Sequence, residues 1–235
     1  MIRRAALALL LLAPACSRSD PPPPAGETTG VSAEVPSPPS RFRGLYTAAS
    51  PDSGTIRLCE GGTLAVRDLT RGELQSAHEA LGGGPEVPVF VEVRAESAHA
   101  PATGGVTLTV QALVRASPVG ESAGCAEPPA PYLYRASGNE PFWSATVGED
   151  SIVFEQPEEP RRLAAPITAR ETSAGRRVVH AETGGSVPHR IRLTLTPGRC
   201  ADSMSGAIYS FSAEAVVDER PLSGCARAGD RADAP

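Results

Sequence analysis

Two stretches of this chain, residues 42–127 and 132–227, are written in the period-two alternation of apolar and polar residues that marks half-buried β-strands. In the first, "FRGLYTA" and "TIRLC" lead to a Gly61-Gly62 turn and then to "TLAVRD". "VPVFVEVRAE" alternates through Val87, Val89, Val91 and Val93, and "VTLTVQALV" through Val106, Leu108, Val110, Ala112 and Val114. Between these groups, Thr70-Arg71-Gly72-Glu73 has the spacing of a capping box and predicts a short helix carrying Leu74, Ala77 and Leu81 on one face. Gly82-Gly83-Gly84 stops that helix. Three strands, a helix and two strands is the element order of an OB barrel.

The second stretch predicts no helix. "PFWSATV" turns at Gly148-Glu149-Asp150 into "SIVFE", "RRVVHAE" turns at Gly184-Gly185, and "HRIRLTLT" alternates through Ile191, Leu193 and Leu195. "AIYSFSAEAVV" and "PLSGCA" follow. Six to eight short strands at this spacing predict an antiparallel barrel or sandwich. The expected fold class is all-β with one short helix: two small β domains, the first OB-like, the second an antiparallel barrel. The join, Glu127-Pro128-Pro129-Ala130-Pro131, is too short to let the two move far apart.

The ends of the chain read differently. Arg3 and Arg4 precede an apolar run from Ala5 to Ala13, the charged and apolar regions of a secretory signal peptide over residues 1–15. The run is about half the length a membrane-spanning helix needs. Leu12-Ala13-Pro14-Ala15-Cys16 resembles a lipobox, with Ala where Leu is commonest at its first variable position; the alternative is an ordinary signal peptide with a chance cysteine. A lipobox makes Cys16 the lipid attachment site, and acyl chains at about 0.8 kcal/mol per buried CH₂ anchor a protein without a transmembrane helix. Ser17 after it, in place of the Asp of an inner-membrane retention signal, favours the outer membrane, periplasmic face, over the inner membrane. Residues 16–41 are Pro-, Ser- and Gly-rich and predict a disordered tether; residues 228–235 predict a disordered tail.

Composition changes the picture in two places. All 22 basic residues are arginine, the net charge is −5 before the leader's two arginines are lost, and no basic stripe exists, so nucleic acid is not an expected partner. Four cysteines remain besides Cys16, and an even count in an exported chain reads as disulfides. Their distribution, two in each β region, favours Cys59–Cys125 and Cys200–Cys225 among the three possible connectivities.

Candidate chemistry is sparse. Gly120-Glu121-Ser122-Ala123-Gly124 matches the nucleophile elbow G-x-S-x-G, but Cys125-Ala126-Glu127-Pro128-Pro129 follows where the elbow needs a helix, so Ser122 reads as a loop residue. The histidines, His78, His99, His180 and His189, never fall within four residues of one another as zinc signatures require, and read as surface side chains. His180 and His189 meet only if a hairpin joins them. Cys200 is read as half of a disulfide rather than a reactive thiol, with Asp202, Ser203 and Ser205 as turn residues beside it. Trp143, the only tryptophan, is read as core rather than as a ligand-stacking platform. No catalytic residue, metal site or cofactor is expected.

"SGNEPFWSATV", "LTLTPGRCADSMSGAIYSFSAEAVV" and "LSGCA" together resemble an uncharacterised bacterial membrane-protein or lipoprotein domain family, similar to HslJ/META-type β domains, over residues 132–227. "FRGLYTAASPDSGTIRLCEGGTLAVRD", continuing to "VPVFVEVRAE", resembles the OB-like domain of NlpE-type lipoproteins, envelope proteins associated with copper tolerance and surface-stress sensing. The Cys-x-x-Cys element linked there to copper is absent here, so that role does not carry over. The resemblances imply a non-enzymatic envelope lipoprotein with a structural or stress-related role, working through contacts with other envelope proteins. The alternative is a periplasmic lipoprotein that binds a small ligand or metal at a barrel mouth.

Overall fold

A computed structural model describes residues 39–100, 104–120, 124–128 and 130–233; Cys16 and Ser122 lie outside the described residues. The described chain is nearly all β: thirteen strands, one short α-helix and a terminal turn of 3₁₀ helix. Among the described residues no helix is long and apolar enough to cross a membrane.

Five strands build the first barrel: β1 (Ser40–Ser50), β2 (Ser53–Leu58), β3 (Thr63–Asp68), β4 (Val89–Ala100) and β5 (Gly105–Ser117). β1 pairs with β2 and β4, β2 with β3, and β4 with β5, all antiparallel. The parallel pairing of β3 with β5 closes the ring. This circuit, with α1 (Glu73–Ala80) between β3 and β4, is the OB topology that the element order predicts. Alternation holds in part: Tyr46, Ile56, Val66, Val89, Val91, Val93, Leu108 and Val110 share one core with Leu74 and Ala77 of α1. Val87 and Val106 are exposed, and past a register shift in the β4–β5 ladder Leu113 and Ala116 join the core in place of the expected Ala112 and Val114.

The helix begins by a different device from the expected capping box. Thr70 Oγ1 accepts the Leu74 N–H at 2.9 Å, but the Thr70 N–H is taken by Asp68 Oδ1 at 2.7 Å, and Gly72 fills the cap position in a left-handed conformation. Asp68, at the end of β3, thus performs the reciprocal half that Glu73 was expected to supply.

Eight strands form the second barrel, an up-and-down antiparallel ring: β6 (Tyr134–Asn139), β7 (Phe142–Val147), β8 (Ser151–Glu155), β9 (Arg162–Ser173), β10 (Arg176–Glu182), β11 (Arg190–Ala201), β12 (Ile208–Val217) and β13 (Arg220–Ala228). Each pairs with its successor, and β13 closes on β6. The interior is filled by side chains, as in small eight-stranded barrels. Trp143, Ile152, Phe154, Leu163, Leu193 and Leu195 occupy it, with alanines such as Ala145, Ala165, Ala213 and Ala215 between them.

β6 and β9 escape the period-two reading. β9 carries Pro166 at its centre, where its ladder with β8 ends and its pairing with β10 takes over. There Pro's missing donor is not needed, since the next amide, Ile167, donates to Asp150 O at 2.8 Å. Pro197 and Gly198 fall in a bulge inside β11, where the register against β12 shifts between Pro197 and Cys200. The expected tail also differs. β13 runs to Ala228 and Asp230–Asp233 form the 3₁₀ turn. The Asp230 carboxylate accepts the Ala130 amide at 2.7 Å and the Gly229 amide donates to Leu133 O at 2.7 Å, so this segment is bound to the start of the second barrel. At the other end β1 begins at Ser40, two residues before the expected boundary.

The barrels share one continuous sheet. Ile208 and Tyr209 of β12 pair with Ala116 and Arg115 of β5, and the Ile208 side chain joins the first barrel's core.

Candidate functional site

The two sequence stretches with the most distinctive side chains, Asn139–Trp143 and Cys200–Ser205, meet in space. β6 ends at Asn139, and the bulge in β11 carries the chain past Cys200 into the loop before β12. Asn139 Nδ2 donates to Asp202 Oδ2 at 2.9 Å across 63 residues of sequence, and to Ser203 Oγ at 3.3 Å. Asp202 Oδ1 accepts the amides of Met204 (3.1 Å) and Ser205 (2.7 Å) and the Ser205 hydroxyl (2.7 Å). Burial alone would raise the Asp202 pKa, but the Ser205 amide and hydroxyl, the Asn139 amide and the Met204 amide hold it below the usual carboxylate range. The carboxylate is therefore an organiser of its loop. Its lone pairs are committed to the turn.

Cys200 and Cys225 form a disulfide with Cα atoms 5.5 Å apart. Cys225 stands opposite Ser212 of β12, so the bond spans from the bulged end of β11 to β13. Together with Ser137, Glu140, Ser223 and Gly224 these groups line a cavity of about 340 Å³. Phe142 and Met204 stand beside it, 52% and 68% exposed. Trp143, the next residue, turns inward and is 3% exposed. Its Nε1 donates to Ser223 O at 3.0 Å and its ring stacks on Phe154 with centroids 6.0 Å apart. It is a core residue.

The histidines separate. His99 is exposed near the tip of the β4–β5 hairpin. His78, expected at the surface, is 2% exposed: its Nε2 lies 3.1 Å from Val87 O and its ring meets Tyr46 edge-on at 5.5 Å. The chain reverses after α1, and Gly83 leaves room for the imidazole where any Cβ would collide with it. His180 and His189 do come to one place. Both line a concavity of about 820 Å³ formed by β10, β11 and the β12–β13 turn, with Val187, Pro188, Arg192 and Asp218. His189 Nδ1 bonds Asp218 Oδ2, and His180 Nε2 lies 3.6 Å from Glu171. Burial would raise the Asp218 pKa, but His189 and the Arg190 amide hold it low. Among the described residues no group of three or more His, Cys, Asp and Glu side chains is placed to hold a metal ion.

A third constellation has no counterpart in the sequence reading. Glu92 of β4 is 3% exposed and faces three guanidiniums: Arg43 at 3.5 Å, Arg41 at 3.9 Å and Arg227 at 3.3 Å. Glu127 pairs with Arg115 of β5 and, at 3.3 Å, with Arg227 of β13. Burial would raise the Glu127 pKa, but Arg115 and Arg227 hold it below the usual range. Arg41 also donates to Ala228 O and Gly229 O, so the network runs from one barrel to the other. Glu92 occupies an outward position in its strand's alternation and reads there as solvated. Its only sequence signal is a carboxylate within a run of valines.

The remaining cysteines, Cys59 and Cys125, form the second disulfide, with Cα atoms 5.1 Å apart. Both pairings are those favoured by the distribution of cysteines along the chain. No protein-family model, curated protein or solved structure matches the chain.

Proposed function

We infer that this chain is a non-enzymatic lipoprotein of a bacterial envelope. It is anchored through Cys16 to the periplasmic face of the outer membrane and acts through contacts with other envelope proteins in a structural or stress-related role. The observation that carries the reading is that Cys59, Cys125, Cys200 and Cys225 are all paired within the chain, a pattern formed in oxidising compartments. The leader and Cys16 supply the route and the anchor, and the resemblance to envelope lipoproteins agrees with both. The groups with chemical potential in the second barrel serve structure: Cys200 is bonded, Asp202 holds a turn and Trp143 is core. Phe142 and Met204, exposed beside the braced Asn139–Asp202 corner, offer the apolar anchor points that protein contacts use.

The test is fractionation of the full chain expressed in a Gram-negative host with labelled palmitate. The wild type incorporates label and sediments with membranes, and Cys16→Ser does neither. Unlabelled wild-type protein in the soluble fraction overturns the reading. The second reading, a small-ligand or metal binder, is favoured by the concavity that brings His180 and His189 together. Under it, Zn²⁺ or Cu²⁺ raises the melting temperature of the purified protein, and His180→Ala with His189→Ala removes the rise. An unchanged melting temperature up to millimolar metal excludes those two ions.

A further inference from the structure

The two disulfides differ in accessibility and in what they hold. Cys225 is 5% exposed and Cys200 half-buried, with its sulfur 3.5 Å from Gly224 O. Cys125 is exposed and Cys59 only half-buried. The Cys59–Cys125 bond ties the end of β2 to the connecting segment between the barrels, 66 residues later in sequence. That segment carries Glu127, whose carboxylate bridges Arg115 of the first barrel and Arg227 of the second. Arg43 binds both sides of the bond. Its carbonyl accepts the Cys59 amide at 3.0 Å, and its guanidinium donates to Gly124 O at 2.7 Å and Glu127 O at 2.9 Å.

We propose that the Cys59–Cys125 disulfide is a thiol–disulfide exchange site for a dithiol reductant, and that its redox state sets how tightly the connecting segment clamps the two barrels. A thiolate of the dithiol attacks the exposed Cys125 sulfur, and the S–S bond breaks with Cys59 leaving as the thiolate. The second thiol of the dithiol then attacks the mixed disulfide and releases Cys125. The dithiol is oxidised by two electrons to its disulfide, and its two protons end on Cys59 and Cys125. Exposed disulfides are the ones open to this attack, and Cys125 is exposed whereas Cys200 is half-buried and Cys225 buried. In the reduced state Glu127 is held by non-covalent bonds alone, in a segment no longer closed by a covalent loop, so the Arg115–Glu127–Arg227 bridge opens more often. The proposal goes beyond the envelope reading and takes from it only an oxidising setting.

The purified, folded protein tests it independently of any membrane role. It is incubated with dithiothreitol without denaturant, thiols are trapped by alkylation at intervals and sites are identified by mass spectrometry. Cys59 and Cys125 label at least about tenfold faster than Cys200 and Cys225. Equal labelling, or earlier labelling of Cys200 and Cys225, overturns the exchange site. Hydrogen exchange is then compared in the oxidised and selectively reduced protein. Amides of residues 124–128, and of β13 around Arg227, exchange roughly tenfold faster after reduction. Oxidised Glu127→Gln shows the same rise at β13. Unchanged exchange at β13 in both samples overturns the clamp. The double variant Cys59→Ser/Cys125→Ser reproduces the reduced pattern, and where it fails to fold, the wild-type reduction series still decides the question.

Discussion

Tyr46 shows how much a single buried side chain contributes and costs. Its ring is completely buried in the first barrel, and its hydroxyl has no hydrogen-bond partner among the described residues. Burial, with the nearby Asp68 carboxylate adding to it, pushes its pKa up to about 12. The sign follows from the unfolded chain, where a tyrosine ionises near 10. Below pH 10 the phenol is neutral in both states and its stabilising contribution is intact. Between pH 10 and 12 only the unfolded state loses the proton, so stability falls with rising pH by an amount on the order of 2 kcal/mol. Tyr46→Phe keeps the ring and removes both the unpartnered hydroxyl and the titration. Urea midpoints at pH 8 and 11.5 should therefore show an unchanged or more stable variant at pH 8 and a smaller alkaline loss than in the wild type. An equal loss in both proteins would mean that other groups carry it. His78, packed edge-on against Tyr46, makes the same point for the sequence reading. Nothing in its neighbours along the chain distinguishes a buried imidazole from a solvated one, because burial here depends on the reversal after α1.

At the scale of elements, β6, β7 and β13 meet where two glycines, Gly138 and Gly224, permit it. A Cβ on Gly138 would stand 2.2 Å from Ser223 O and 2.2 Å from Trp143 Nε1, the two ends of the indole's hydrogen bond. Gly138→Ala must push the indole off its acceptor or spread β6 from β13. We expect a loss of about 1–3 kcal/mol in denaturant unfolding and a change in Trp143 fluorescence, since this is the chain's only tryptophan. Unchanged stability and emission would show that the strands shift freely there. The strands around this point were legible to different degrees. β11 from Arg190 to Leu193 and β12 from Ser212 to Val217 alternate because one face of each looks into the barrel and the other outward. β9 does not: its second half pairs only with β10 and is exposed on both faces, so no alternation is required of it.

Over the whole molecule, the decisive feature is that the outside of one barrel is the inside of the junction. Glu92, Arg115 and Arg227 are polar because each faces outward from its own barrel, and at the junction Glu92 and Arg115 are buried and Arg227 half-buried. A buried carboxylate facing three guanidiniums is costly to disturb from one side, since its removal leaves desolvated positive charge. Glu92→Ala is expected to cost about 3–5 kcal/mol and to uncouple the barrels. Calorimetry should then resolve two transitions where the wild type is expected to show one. One transition in both would assign the coupling to the contacts that remain, the β5–β12 ladder and the Arg41 and Glu127 bonds. The amino-acid sequence by itself determined the β class and the helix between the third and fourth strands, and it favoured the pairing of the cysteines that the structure holds. These follow from local alternation, turn residues and the distribution of cysteines along the chain. Only the tertiary structure decided how the rings close, which carboxylates are dry, that Asn139 reaches Asp202, and that Glu127 links the barrels. Period-two patterning records which side of a strand faces its own core, and it carries no information about what the other side comes to meet.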